Sequence, residues 1–305
     1  MRSFFVFSGQ GAQTVGMGRD LYDAGSAAKA IFDQADSALG WSVSKICFEG
    51  PGEKLTESKY CQPAIYTMSC AALAAFKEKF TDVKPLACAG LSLGEYAALF
   101  AGQAFSFADG LKLIARRGEL MDIACNETNG GMASVLGGDE ELIREVCAEC
   151  GVDVANFNCP GQIVISGEKE KVKAAVEGLK ARGLRKVIPL NVAGAFHSQL
   201  MAGAGEKLGE VLMATPLAMP EVPVYHNFTA SPAATVEELR ANLQAQVAGS
   251  VRWEECVRKM IAAGGDTMIE FGPGNVLTGL LRRTDSEVKF FNVNSIESLN
   301  NLDIN

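Results

Sequence analysis

Residues 86–101, LACAGLSLGEYAALFA, contain the pattern that decides the fold. The apolar run at residues 86–89 predicts a short buried strand, and the small residues after Gly94 predict a helix. Between them, GLSLG (residues 90–94) has the G-x-S-x-G form of a sharp strand-to-helix turn, whose tip presents a nucleophile between small neighbours. We therefore predict that Ser92 is a nucleophile, and an ordinary strand–helix turn remains the alternative interpretation.

The order of strand, turn and helix is repeated along most of the chain, beginning with the strand-like residues 4–7. This repetition indicates an α/β fold with a mainly parallel sheet. Residues 130–192 have a different order, β-α-β-β-α-β, which is that of the ferredoxin-like split unit. We therefore predict a large α/β domain made of residues 1–124 and 196–305, and an inserted ferredoxin-like domain at residues 125–195.

The composition excludes several classes of protein. The 305 residues are 48% hydrophobic, and 28 basic against 36 acidic side chains give a net charge of −8. This balance argues against disorder, against nucleic-acid binding and against a polybasic membrane contact. The nine cysteines are scattered, no signal peptide precedes them, and no apolar run is long enough to cross a membrane. We expect a cytoplasmic protein without a metal site.

Two histidines are available as the base that a serine nucleophile needs. His197 follows the last predicted strand of the inserted domain, at a junction where clefts form. His226 ends an apolar strand, and we interpret it as a histidine that bonds to the backbone. His197 is therefore the better candidate for the base, although a hydrogen-bonded turn residue would look the same in the sequence.

A pair of arginines bears on the substrate. Arg116 and Arg117 lie on one predicted helix, and the helical period does not decide which of them faces the protein interior. A solvated ion pair is the usual role of a helical arginine. If one of the two faces a cleft, its planar guanidinium fits a carboxylate with two hydrogen bonds.

Further landmarks follow one another along the chain: residues 7–13 (FSGQGAQ), 62–64 (QPA), 90–96 (GLSLGEY), 117–118 (RG), 156–162 (NFNCPGQ), 195–198 (AFHS), 251–253 (VRW) and 270–274 (EFGPG). Together they resemble the malonyl-CoA:acyl carrier protein transacylases of fatty-acid synthesis, nearly from end to end. The resemblance implies an α/β-hydrolase-like large domain with a ferredoxin-like small one, in agreement with the pattern of strands and helices.

The resemblance also implies a ping-pong mechanism. Ser92, activated by His197, attacks the malonyl thioester and becomes a malonyl-serine ester, and coenzyme A leaves. The phosphopantetheine thiol of acyl carrier protein then takes the malonyl group. The backbone N–H groups of Gln10 and Leu93 would form the oxyanion hole, and the backbone carbonyl of Gln246 would orient the histidine. The substrates are malonyl-CoA and holo acyl carrier protein, and no cofactor is implied.

The same resemblance implies the substrate-binding residues. Arg117 would bind the free malonyl carboxylate, and Gln62, Asn158 and Phe196 would complete the site. The bulky ring of Phe196 would fill the space that an α-methyl group needs, so we expect weak use of methylmalonyl-CoA. Leu91 departs from the family, which often has a histidine there, and one polar group near the nucleophile is therefore missing.

Three alternatives stay open. A serine thioesterase could use the same dyad, a carrier-protein-binding subunit could lack activity, and a stand-alone acyltransferase could load a polyketide or polyunsaturated-fatty-acid synthase.

An acidic enzyme and an acidic carrier protein repel each other, which slows their encounter. We therefore expect a local basic patch on the small domain that is formed by Lys180, Arg182, Arg185 and Lys186.

Overall fold

The structure, a computed structural model, describes residues 1–304 and, except at Ser26, their side chains. Within this range no helix is both long and apolar enough to cross a membrane. The strands are β1 (Ser3–Phe7), β2 (Ala87–Gly90), β3 (Gly130–Leu136), β4 (Asp153–Cys159), β5 (Gln162–Glu168), β6 (Lys186–Pro189), β7 (Val224–Tyr225), β8 (Thr267–Phe271) and β9 (Lys289–Val293). The helices are α1 (Arg19–Ala24), α2 (Ser26–Leu39), α3 (Val43–Glu49), α4 (Gly52–Thr56), α5 (Ser58–Lys79), α6 (Gly94–Ala101), α7 (Phe107–Glu127), α8 (Glu140–Cys150), α9 (Lys169–Ala181), α10 (Ala202–Ala214), α11 (Val236–Gln246), α12 (Trp253–Ala262), α13 (Val276–Thr284) and α14 (Ile296–Asn300).

The large sheet has the strand order β7-β2-β1-β8-β9, and all its neighbouring strands are parallel. The central strand β1 is buried along its whole length, as a parallel strand covered by helices on both faces must be. Phe5 and Phe7 pack on one face in a cluster that includes residues of α2, α5 and α7. Phe4 and Val6 pack on the other face with residues of α12 and α13. The prediction of a mainly parallel α/β fold is confirmed.

The small sheet has the order β4-β5-β3-β6, and its neighbouring strands are antiparallel. With β3, β4, β5 and β6 as the first to fourth strands, this order is that of the ferredoxin-like fold. Helices α8 and α9 contribute Ile143, Val172 and Leu179 to a cluster on this sheet that is distinct from the clusters of the large sheet. The predicted β-α-β-β-α-β order is confirmed.

The two sheets meet at the carboxyl edge of the parallel strands. The segments after β1, β2, β7 and β8 all leave the large sheet at that edge, where parallel α/β proteins bind their ligands. A bridge between Asn156 of β4 and Val251, just before α12, connects the small sheet to the large one. The candidate site lies between the two sheets.

Candidate active site

Ser92 lies in the turn between β2 and α6, with a left-handed φ of 54° that is unusual for a residue other than glycine. The two flanking glycines are required by space. A Cβ on Gly90 would lie 1.9 Å from the backbone carbon of Gly94, and one on Gly94 would lie 2.2 Å from the carbonyl oxygen of Phe7. The backbone N–H of Ser92 donates to Asn227 Oδ1 at 2.6 Å. This is the geometry of a nucleophile elbow, as the G-x-S-x-G pattern predicted.

His197 lies next to the serine, and its two ring nitrogens have different partners. Nε2 is 2.8 Å from Ser92 Oγ, and Nδ1 is 2.8 Å from the backbone carbonyl oxygen of Gln246. That carbonyl is free to accept because the last carbonyls of a helix have no partner within the helix. Since Nδ1 can only donate to a carbonyl, Nε2 of a neutral ring is the acceptor for the serine proton.

The charge state of His197 suits a general base. Its pKa is lowered from 6.5 to about 4, mainly by burial and to a smaller extent by the nearby positive charge of Arg117. The backbone carbonyls of Gln246 and Gly249 act in the opposite direction, because they stabilise the protonated ring. At neutral pH the imidazole is therefore uncharged and able to accept a proton.

The structure separates the two arginines of α7. Arg116 is exposed and forms an ion pair with Glu119 at 2.9 Å. Arg117 is 1% exposed, and its guanidinium carbon lies 5.6 Å from the centre of the Tyr96 ring. Burial lowers the pKa of Arg117. Arg117 is thus the arginine that faces the interior, whereas Arg116 has the ordinary surface role.

The guanidinium of Arg117 is held by neutral groups. Nη2 donates to Ser92 Oγ at 2.9 Å and to Gln246 Oε1 at 3.0 Å, and Nη1 donates to Gln62 Oε1 at 2.8 Å. Its Nε has no partner among the described residues, and it forms no ion pair with a described carboxylate. A buried cation without an anionic partner is costly, so this arrangement favours an anionic ligand.

Gln10 lies in the segment after β1, and Leu93 follows Ser92 directly in the turn between β2 and α6. Within residues 1–304 no acceptor is found for the backbone N–H of either residue. The N–H of Ser92 is already taken by Asn227. The N–H of Leu93 lies at the start of α6 and Gln10 lines the same cavity as Ser92, an arrangement that suits an oxyanion.

A cavity of about 560 Å³ separates the two sheets and reaches both members of the dyad. Gln10, Ser92 and His197 line it, together with Asn158 and Phe196. Asn158 Oδ1 is buried and has no hydrogen-bond partner in the described chain, so it is available to a ligand. Phe196, which precedes His197 in the sequence, is buried and forms part of the cavity wall.

The remaining predicted residues lie behind the cavity wall. Gln62, Arg117 and Gln246 are nearly or fully buried and touch the dyad or each other. Gln62 Nε2 also approaches Met121 Sδ at 3.3 Å and Gln10 Oε1 at 3.4 Å. The structure thus brings the sequence-predicted residues into one constellation, with Arg117 reaching the cavity only through its contact with Ser92 Oγ.

Sequence reasoning missed a group of residues beneath the serine. The carboxylate of Glu95 is fully buried and accepts hydrogen bonds from His226 Nδ1 at 2.7 Å, Asn227 N at 2.8 Å and Gln246 Nε2 at 2.7 Å. The expectation that the His226 side chain bonds to the backbone was therefore wrong, because its ring donates to Glu95. A charged residue in the otherwise apolar α6 was the signal that could have revealed this group.

The cysteines are all free thiols, and only Cys150 is not fully buried. Cys147, which lies three residues earlier on α8, belongs to the core cluster of the small sheet. In the described part of the chain, no group of three or more His, Cys, Asp or Glu side chains could hold a metal ion.

Comparisons with known proteins extend over nearly the whole chain. The sequence profile of the family described as "Acyl transferase domain" matches residues 4–300. The chain is 43% identical over 300 residues to the malonyl CoA-acyl carrier protein transacylase of Bacillus subtilis (strain 168), which covers 97% of this chain and 94% of the relative. It is 41% identical over 290 residues to the polyketide biosynthesis malonyl CoA-acyl carrier protein transacylase PksC of the same organism, with 93% and 98% covered. A solved structure described as "PlMCAT:AntF (holo): type II PKS acyl-carrier protein in complex with its malonyl-transacylase" has a TM-score of 0.95 and 36% identity, with 98% of each chain covered.

Proposed function

Because the chain belongs to the acyltransferase family, among its malonyl-CoA–acyl carrier protein transacylases, we propose that Ser92 and His197 carry the malonyl transfer. His197 Nε2 takes the proton of Ser92 Oγ as this oxygen attacks the thioester carbonyl carbon of malonyl-CoA. The carbonyl of Gln246 stabilises the imidazolium that forms. The carbon–sulfur bond then breaks, and the coenzyme A thiolate leaves with the proton from Nε2.

The product of this half-reaction is a malonyl-serine ester. In the second half, His197 takes the proton of the phosphopantetheine thiol of acyl carrier protein, and the sulfur attacks the ester carbonyl. Ser92 Oγ leaves and recovers a proton from Nε2. In both halves the backbone N–H groups of Gln10 and Leu93 would hold the negative oxygen of the tetrahedral intermediate.

The observation that carries this proposal is the buried guanidinium of Arg117 beside the nucleophile. It lies 2.9 Å from Ser92 Oγ and has no anionic partner among the described residues. Malonyl differs from acetyl by a free carboxylate, which a guanidinium binds with two charge-assisted hydrogen bonds. The contact with Oγ is available to be exchanged for the carboxylate once the serine is acylated. Gln62 would hold the guanidinium, while Asn158 and Phe196 would line the acyl pocket.

Intact mass after mixing with malonyl-CoA tests the proposal directly. We expect a malonyl adduct that forms on the wild type and disappears when holo acyl carrier protein is added. The Ser92→Ala variant should form no adduct, whereas Ser198→Ala is a matched control because Ser198 bonds only to nearby backbone groups. Release of free malonate without carrier protein would instead indicate a thioesterase. An unreactive serine would indicate a binding subunit.

The carrier protein decides between two pathways with the same chemistry. The 41% identity to PksC supports a polyketide carrier, and the 43% identity to the other Bacillus subtilis enzyme supports the carrier of fatty-acid synthesis. We propose the fatty-acid role, with the polyketide role as the second candidate. Comparing kcat/KM for the two classes of holo carrier protein separates them, and a preference of more than about tenfold for the polyketide carrier would reverse our choice.

The acyl carrier protein would dock beside the cavity mouth on the small domain. Lys180, Arg185 and Lys186 are exposed, and Lys186 lies in β6, whose continuation at Leu190 lines the cavity. The charge of Arg182 is already balanced, because it pairs with two glutamates of α8. We therefore propose a patch of three free cations rather than four. Charge reversal at Arg185 and Lys186 should raise the KM for carrier protein and leave the KM for malonyl-CoA unchanged.

Two further proposals concern organisation and location. The elements from β3 to β6 all lie between residues 130 and 189, which supports an inserted small domain at residues 125–195 and a large domain made of residues 1–124 and 196–305. The free thiols support a reducing compartment, and we propose that the enzyme works in the cytoplasm.

A further inference from the structure

The carboxylate of Glu95 has no part in the transfer described above, yet it is the only charged group of α6 and is fully buried. It lies three residues after the nucleophile, at the start of the helix that follows the elbow. Three N–H groups point at it, from His226, Asn227 and Gln246. A carboxylate that only accepts hydrogen bonds in this way is an ionised one.

Two of these three contacts lead directly to the reacting groups. Asn227, whose N–H bonds to Glu95, accepts the backbone N–H of Ser92 with its side chain and donates to the carbonyl of Gly90. It therefore holds the start of the turn at Gly90 and its tip at Ser92. Gln246, whose side chain bonds to Glu95, also donates to the carbonyl of Ser92 at 3.0 Å.

Gln246 is the residue through which the base is held. Its backbone carbonyl accepts from His197 Nδ1, so the position of Gln246 sets the position of the imidazole. The Gln246 side chain is fixed at both ends, because its Nε2 donates to Glu95 and its Oε1 accepts from Arg117. Glu95 therefore connects the nucleophile, the base and the guanidinium through a single side chain.

The same chain of contacts balances the buried charges. Arg117 donates to Oε1 of Gln246, and Nε2 of the same amide donates to Glu95. The amide dipole thus lies between a cation and an anion and is oriented by both. A direct ion pair with Glu95 would occupy the guanidinium, whereas this indirect one leaves it facing the serine, where a substrate carboxylate can bind.

We propose that Glu95 is a positioning residue for the transfer: it acts through Gln246 and Asn227 to hold His197, Ser92 and Arg117 in register, without touching the substrate. The proposal rests on the proposed function, because it assigns Glu95 a part in the same reaction. In this dyad the histidine itself contacts no carboxylate, because its Nδ1 bonds to the backbone carbonyl of Gln246. The acid contacts the residue that holds the histidine, and not the histidine itself.

The test replaces Glu95 by an isosteric neutral residue. In Glu95→Gln, an NH2 group replaces one acceptor oxygen and the negative charge that orients the Gln246 amide is lost. If the NH2 faces Gln246 and Asn227 it meets two donors, and if it faces His226 that ring must change its tautomer, so the contacts that hold Gln246 are weakened in both arrangements. A misplacement of about 1 Å at a catalytic group can cost about 100-fold in rate. We expect kcat for malonyl transfer to fall about 10- to 100-fold, with a much smaller change in the KM for malonyl-CoA.

Glu270→Gln is the matched control. Glu270 is also fully buried, and it accepts hydrogen bonds from Leu277 and Thr278 at the start of α13 and from Asn292 of β9. It has no contact with the dyad, so this variant should lose thermal stability and keep its kcat within about twofold. An equal loss of kcat in both variants would mean that any buried carboxylate has the same effect, and would overturn the proposal.

A second readout is labelling of Ser92 by a fluorophosphonate, which reports the activated serine without malonyl-CoA. We expect the labelling rate of Glu95→Gln to fall in parallel with kcat. Gln246→Leu keeps the backbone carbonyl and removes the amide, so it should cause a similar loss. The double variant should be little slower than either single variant, because both changes break the same connection. Losses that multiply would overturn the proposal.

The outcomes separate the two proposals. If the wild type is labelled neither by malonyl-CoA nor by fluorophosphonate, the proposed function fails. If the wild type reacts and Glu95→Gln reacts at the same rate, only the positioning role fails. Should Glu95→Gln not fold, Glu95→Asp takes its place in the same cycle, because it keeps the charge and shortens the reach by one methylene.

Discussion

Arg117→Ala is the sharpest test of the substrate assignment. The substitution removes a buried cation that contacts Ser92 Oγ, Gln62 and Gln246. A malonyl carboxylate would then have no partner in the pocket, whereas an acetyl group would lose nothing that it used. We therefore expect the preference for malonyl-CoA over acetyl-CoA to collapse, since it depends on this one side chain.

The size of the effect follows from the hydrogen bonds involved. A hydrogen bond to a charged group contributes about 1.5–3 kcal/mol, so two of them to the malonyl carboxylate contribute about 3–6 kcal/mol. We take the lower end, because the variant also removes the cost of burying a cation that has no direct ion pair. Since about 1.4 kcal/mol corresponds to a factor of ten, kcat/KM for malonyl-CoA should fall about 100-fold. With acetyl-CoA it should change by less than about tenfold.

The assay is formation of the acyl-enzyme from each thioester, followed by quenched flow and intact mass. Arg116→Ala is the matched control, because Arg116 is the exposed neighbour paired with Glu119, and both of its rates should stay within about twofold of the wild type. Arg117→Lys keeps the charge and loses the planar fork, so it should fall between wild type and Arg117→Ala. If Arg117→Ala kept its preference for malonyl-CoA, the carboxylate would be bound elsewhere and our reasoning would be refuted.

Four further predictions concern the pH dependence of rate and of stability, the elbow and the acyl pocket. Because the pKa of His197 is lowered to about 4, kcat/KM should stay level as the pH falls to about 5 and decline tenfold per unit below about 4; a midpoint near 6.5 in the rate profile would contradict this. The unfolded chain holds the His197 proton more readily between pH 6.5 and about 4, so the free energy of unfolding from urea titrations should decrease as the pH falls through that window. Gly94→Ala should abolish fluorophosphonate labelling and lower the Tm, because its Cβ would lie 2.2 Å from the carbonyl oxygen of Phe7. Labelling at a rate near that of the wild type would argue against the elbow. Phe196→Ser should raise kcat/KM for methylmalonyl-CoA relative to malonyl-CoA, and an unchanged ratio would show that the ring does not set this limit.

Much of the fold could be predicted because its signals are local. The apolar run before Gly90 and the glycines around Ser92 report on a strand and a tight turn that involve only neighbouring residues. The order of elements in residues 130–192 predicted the small sheet in the same way. Ser92 and His197 were predicted as nucleophile and base from the serine pattern and from the position of His197 at the domain junction, and the resemblance to a family added Gln246 and the candidate oxyanion-hole residues.

Other features could not be predicted from local patterns. The helical period left Arg116 and Arg117 undecided, because burial depends on which face of α7 packs against α5, and that packing involves residues far away in the sequence. His226 was assigned a backbone contact because its true partner, Glu95, precedes it by 131 residues. Nothing within a few residues of either one indicates the pair.

The sequence by itself determined the elements of this protein and the turn that makes Ser92 the candidate nucleophile, because strand, turn and helix depend on short-range sterics and on the spacing of apolar residues. Only the tertiary structure decided how the site is assembled. Ser92, Arg117, His197 and Gln246 come from four separate segments: the turn after β2, the middle of α7, the segment before α10 and the end of α11. They meet at the edge of the parallel sheet because α10 packs against both α7 and α11. This convergence also decides which of their polar atoms are paired, and it places Glu95 beneath them.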